Sequence, residues 1–178
     1  MTTFHEIRAV RNEMVRMTKT QKIKDSAPGG ANLIVQLRKL AKKMTQSTAK
    51  LEENMKDIGS IDDENRKTRV QAMTSELYEL AETLQDLNMA IDEVIGDDIL
   101  NLDEKSVLDE FDNLEIAPAL IDDLLKHLKN FHKVYYDKTI NNDLKLLVYH
   151  DLERNWKSLN KNLARIIGSV NGLAQKIV

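Results

Sequence analysis

Apolar residues recur along most of this chain at alternating steps of three and four. The clearest run is Val70, Met73, Leu77, Leu80, Leu84, Leu87, Ile91 and Val94. That spacing belongs to a helix that buries one seam against other helices. Upstream, Leu33, Leu37, Leu40, Met44, Leu51 and Ile58 repeat it, with Ser47 and Asn54 as polar substitutes late in the run. Ile34, Ala41, Thr48 and Met55 widen that face, which suits a bundle better than a two-stranded coil. A third stripe is Ile121, Leu124, Leu128, Phe131 and Tyr135. A fourth runs from Tyr149 through Leu152, Trp156, Leu159, Leu163, Ile166, Val170 and Leu173 to Ile177.

Punctuation between the stripes sets the expected boundaries. Gly59-Ser60 ends the first helix, and Ser60 followed by Asp63 and Glu64 reads as the next N-terminus. Pro118 suits the first turn of a new helix, and Asp137 to Asn141 make a turn. The expected fold is therefore all-α. Four long helices over 31–58, 61–95, 117–136 and 142–176 form an antiparallel bundle, since such short connections force neighbours to reverse. A short accessory helix over 102–113 turns Leu102, Val107, Leu108 and Phe111 inward. The polar opening of the second helix, DDENRKTR, predicts a solvated hairpin tip. Asn171-Gly172 offers the last helix an earlier stop.

The N-terminus reads differently. Over residues 3–18, Phe4, Ile7, Val10, Met14 and Met17 share one side of a short helix, and Arg8, Arg11 and Arg16 lie off that stripe. The polar stretch that follows ends in Ser-Ala-Pro-Gly-Gly, a joint at about 25–30. Residues 1–30 are thus an arm with a flexible joint, and residues 31–178 the bundle. The eight arm residues just named are the candidate partner-binding set: the apolar five enter a groove and the arginines rim it. The plainer alternative is a first helix packed on its own core.

Charge adds one distinction. The net charge of −3 hides a basic N-terminal third, an acidic middle and a basic last third. Neighbouring helices that neutralise one another account for this, and so does a basic face kept for an anionic partner. Arg38, Lys39, Lys42 and Lys43 are the candidate patch for an anionic membrane or nucleic acid, the alternative reading. There is no cysteine, so disulfides, thiol catalysis and Cys-ligated metal are excluded. The chain opens on no continuous apolar run and holds none of bilayer-spanning length, so an intracellular, cytoplasmic setting is expected.

Catalytic constellations are sparse. Asp123 and His127 stand one helical turn apart, but one carboxylate and one imidazole do not make a metal or acid–base site. The acid-rich run after Gly96 lacks the alternating ligands and central glycine of a calcium loop. No phosphate-binding glycine loop or nucleophile elbow occurs. His127 and His132 read as surface or boundary residues, and Tyr135, Tyr136, Tyr149 and Trp156 as core residues with a polar tip near the boundary. The expectation is a non-enzymatic adaptor or assembly subunit working through helix–helix contacts. It needs no metal, cofactor or small-molecule substrate. Its partner is another, helical protein, and unbroken heptads also allow a homodimer.

Overall fold

The computed structural model describes residues 29–96 and 109–176. Among these residues it is all-helical, with four helices: α1 (Gly29–Met55), α2 (Asp63–Gly96), α3 (Asp112–Tyr136) and α4 (Asn142–Lys176). Each packs extensively on two others. α1 lies against α2 and α4, and α3 lies against the same two. The apolar positions explain this arrangement. All eight residues of the Val70–Val94 run are buried, as are Leu37, Met44 and Leu51 of α1, Ile121, Leu124, Leu128 and Phe131 of α3, and Leu152 to Leu173 of the α4 stripe. Together they form one continuous core. Removal of this much aliphatic surface from water is the main favourable term in folding.

Several boundaries differ from the expectation, each for a local reason. Gly29 and Gly30, assigned to the joint by their sequence, are helical and open α1. α1 stops at Met55, three residues early, because Asp57 takes a left-handed conformation with φ of 56°. Aspartate tolerates that region better than most residues. Gly59 does not supply the positive φ. Its role is space: a Cβ there would lie 3.2 Å from Tyr149 Cδ2 and 3.3 Å from the Tyr135 hydroxyl oxygen.

The α2 cap is Asp62, not Ser60. Asp62 Oδ1 accepts the Asn65 N–H at 2.9 Å, whereas Ser60 Oγ turns back to donate to the Asp57 carbonyl at 3.1 Å. Hydrogen bonds from Asn65 hold the Asp62 carboxyl below its ordinary pKa. α3 begins at Asp112, so Pro118 lies inside a helix that was expected to start beside it. Residues 112 and 113, assigned to the short accessory helix, belong to α3. Leu102, Val107 and Leu108 lie outside the described residues, while Phe111 is buried. α4 continues through Gly168 and Gly172 to Lys176. A Cβ at either glycine would meet nothing within 4 Å.

The tip of the α1–α2 connection is only partly solvated. Asp62 to Asn65 are exposed, but Arg66 is 6 % exposed. Its Nε donates to the Ile58 carbonyl at 3.0 Å, Nη2 donates to the Ile61 carbonyl, and Nη1 meets Asp63 Oδ1 at 2.5 Å. The guanidinium also stands 4.6 Å from the centre of the Tyr135 ring. Burial raises the Tyr135 pKa, and Arg66 pulls it partly back. One arginine thus ties the α1–α2 connection to the end of α3. Tyr136 adds a second tie, donating to the Asp63 carbonyl at 3.0 Å.

Polar contacts also set helix levels. Lys50 Nζ lies 3.4 Å from Glu76 Oε2, and Arg69 donates to the Lys56 carbonyl. Residues late in α1 therefore stand level with residues early in α2. Farther along, Asn162 is buried and donates to the Asn113 carbonyl at 3.0 Å, although its own Oδ1 is buried with no partner. Ser169 Oγ donates to the Glu110 carbonyl at 2.9 Å, and Lys176 pairs with the Glu110 carboxylate at 2.7 Å. These contacts fasten the second half of α4 to the start of α3.

Candidate protein interface

Among the described residues, exposed large apolar side chains are densest at the beginning of α4. Leu144, Leu146 and Leu147 are 42 %, 53 % and 56 % exposed. A wired turn holds them in place. Asp137 Oδ1 accepts both the backbone N–H and the hydroxyl of Thr139, at 2.9 and 2.6 Å. These bonds hold the Asp137 carboxyl below its ordinary pKa. Asn141 Oδ1 then caps α4 by accepting the Leu144 N–H at 2.9 Å. Val148 turns inward, and Ile140 and Tyr149 pack on the core. The three leucines are what the core leaves outside. Periodicity missed them because the run LKLLVY is apolar on nearly every side.

Beside this surface an open groove of about 740 Å³ runs between α1 and α4. Met55, Tyr149 and Trp156 give it an apolar lining, and Glu52, Glu53 and Glu153 stand among its carboxylates. Lys157 and His150 lie 3.3 and 3.6 Å from Glu153. Burial raises the Tyr149 pKa, with Glu153 and Asp57 adding to the rise.

A second groove, of about 360 Å³, separates α1 from α2 and is polar. Lys43, Gln46, Ser47 and Lys50 face Glu76, Glu79, Glu82, Thr83 and Asp86 across it. Ser47, Glu76 and Thr83 are buried. Lys43 of the expected anionic-partner patch lines this cleft, turned toward the chain's own acids. Arg38, Lys39 and Lys42 are exposed on α1 with Lys43, and none of the four forms an ion pair among the described residues. The arm residues Phe4, Ile7, Arg8, Val10, Arg11, Met14, Arg16 and Met17 lie outside the described residues.

The described residues contain no group of three or more His, Asp or Glu side chains arranged to hold a metal ion. Asp123 is exposed and His127 half-buried on α3, with no hydrogen bond between them. The rings of His132 and Tyr136 lie 4.5 Å apart, tilted by 54°, and His132 Nδ1 is buried without a partner. Burial raises the pKa of Asp122, next to Asp123 in the sequence, against the pull of Lys126. Among the described residues no helix is long and apolar enough to cross a membrane.

Comparison with protein-family models, curated proteins and solved structures finds no match. The fold and its surfaces therefore carry the functional reading alone.

Proposed function

We propose that this chain is a non-enzymatic adaptor or assembly subunit, an antiparallel helical bundle that binds another helical protein. The reversed levels of α1 and α2 at the Lys50–Glu76 and Lys56–Arg69 contacts support the antiparallel arrangement. The observation that carries the functional reading is the apolar surface of Leu144, Leu146 and Leu147 beside the α1–α4 groove. Burying the exposed half of three leucines yields about 3 kcal/mol. A micromolar complex needs about 8 kcal/mol, so this surface is one part of a larger contact. The arm, with Phe4, Ile7, Val10, Met14 and Met17 entering a partner groove and Arg8, Arg11 and Arg16 at the rim, supplies the remainder.

Affinity capture followed by mass spectrometry tests the reading on three chains: the full chain, the chain lacking residues 1–25, and Leu146→Asp/Leu147→Asp. A partner retained by the full chain and lost by both variants, with circular dichroism unchanged, is the expected result. A partner captured equally by all three would exclude both elements from the contact. If the deletion instead melts the bundle, the arm belongs to the core.

A second reading has its own support. Arg38, Lys39 and Lys42 point to solvent beside the exposed Val35, as a face for anionic lipid or nucleic acid would. Binding to anionic vesicles or to DNA that falls steeply with salt, and is lost on charge reversal of these residues, would favour it.

A further inference from the structure

α2 has an unusual charge distribution. From Val70 to Gly96 it carries six carboxylates and no lysine or arginine. Glu79 and Glu82 are exposed and Asp86 half-buried, all three on the wall of the polar α1–α2 groove. α1 offers two lysines to that groove, and Lys50 is engaged by Glu76. An excess of negative charge therefore faces outward along this half of α2. On the same outer side, away from the Leu80–Leu84–Leu87 seam, Tyr78 is exposed and Met89 half-buried. The surface is acidic with apolar side chains interspersed.

We propose that residues 3–18 of the chain fold back in cis and dock along this acidic outer side of α2 as a fifth helix. Three independent facts fit that occupant. The first is charge: residues 1–24 carry six Lys/Arg against two acids. The second is position. Lys50 stands level with Glu76 and Lys56 with Arg69, so each step back along α1 is a step forward along α2. Carried to its start, this register brings Gly29 level with the last turns of α2. α1 therefore starts level with the end of the proposed seat, and ten residues, 19–28, separate it from the docked segment. The third is length. A helix over 3–18 is about 24 Å long, the same as α2 from Leu77 to Asp92. With residue 18 level with Asp92, Phe4 comes level with Tyr78, Arg8 with Glu82, and Met14 with Asn88, next to Met89.

Docking in cis goes beyond the partner reading, because it gives the arm a resting place on its own chain. A partner would have to displace it. The test uses the chain alone, so its failure leaves the partner reading untouched. The natural chain has no cysteine, so a nitroxide attached at Ser75→Cys, an exposed position on α2, labels one site. The expected result is attenuation of the amide signals of residues 3–18 within a labelled chain. No attenuation is expected when the label is on one chain and the observed isotope on another. Charge reversal at Glu79, Glu82 and Asp86 should abolish it. In the unmodified chain, trypsin should cut at Arg8, Arg11 and Arg16 about tenfold more slowly than in the charge-reversed one, the factor set by a nine-tenths docked population. Absent attenuation, attenuation only between chains, or attenuation and tryptic protection indifferent to charge reversal would each overturn the proposal.

Discussion

Replacing Arg66 by alanine tests whether one buried side chain holds the end of the bundle together. The substitution strips the Ile58 and Ile61 carbonyls of their donors. A buried or half-buried carbonyl left without its partner costs about 1 to 1.5 kcal/mol. Loss of the stacked contact with Tyr135 adds about 0.5 to 1 kcal/mol. The pair with Asp63 contributes little, since that carboxylate is 59 % exposed and an exposed pair is worth at most about 1 kcal/mol. The sum is about 2.5 to 4 kcal/mol. In a chain of this size that lowers the melting temperature by about 10 °C.

Urea unfolding followed by far-ultraviolet circular dichroism and by the fluorescence of Trp156, the single tryptophan, measures the loss. Arg66→Lys keeps the charge over the ring but reaches one carbonyl at most, so it should lose about half as much. A double-mutant cycle with Tyr135→Leu isolates the ring contact. If Arg66→Ala costs under about 1 kcal/mol, or Arg66→Lys costs as much as alanine, the clamp does not exist as described.

Other outcomes follow from the same coordinates. Pro118→Ala restores a backbone donor for the Leu114 carbonyl inside α3 and should stabilise the fold by about 2 kcal/mol; a drop in urea midpoint would show that the proline shape is needed there. Asn162→Leu removes a buried Oδ1 that has no partner. It should be neutral or stabilising by up to about 1 kcal/mol, and destabilisation beyond that would mean the contact with Asn113 outweighs the orphaned oxygen. The lowered pKa of Asp62 means that its ionised form favours the native state. This contribution is complete above the ordinary aspartate pKa and is lost as pH falls through the lowered one. Carbon-detected titration of the carboxyl should give a midpoint below the ordinary aspartate value of 3.8, and a midpoint at or above it would refute the cap.

The helices were legible because burying a seam needs only periodicity. The residues of the Val70–Val94 run are apolar at every step and all are buried. Boundaries were less legible because they depend on competing local chemistry. Ser60, Asp62 and Asp63 are all plausible caps, and only the backbone path selects Asp62. Pro118 is commonest at helix starts, yet α3 tolerates it inside. Arg66 was hidden for a different reason. Within DDENRKTR it looks like one more solvated charge, and its burial depends on carbonyls of a turn upstream and an aromatic ring on α3. Asp57 gave no warning at all beside the conspicuous Gly59-Ser60 pair. At the candidate interface, the basic residues of α1 were visible as a cluster, but not that Lys43 would face acids of the same chain. Leu144, Leu146 and Leu147 escaped notice because a stripe search rewards apolar residues on one side and is blind to those on the others.

The far end of α4 has a consequence of its own. Gly168 and Gly172 stand in open space, and each weakens the helix by about 1 kcal/mol relative to alanine. What keeps this stretch helical comes from outside: Val170 and Leu173 seated in the core, Ser169 and Lys176 fastened to Glu110. The last turns therefore borrow their shape from the junction before α3. Loosening that junction costs them the Ser169 and Lys176 contacts, while the core seats of Val170 and Leu173 stay in place.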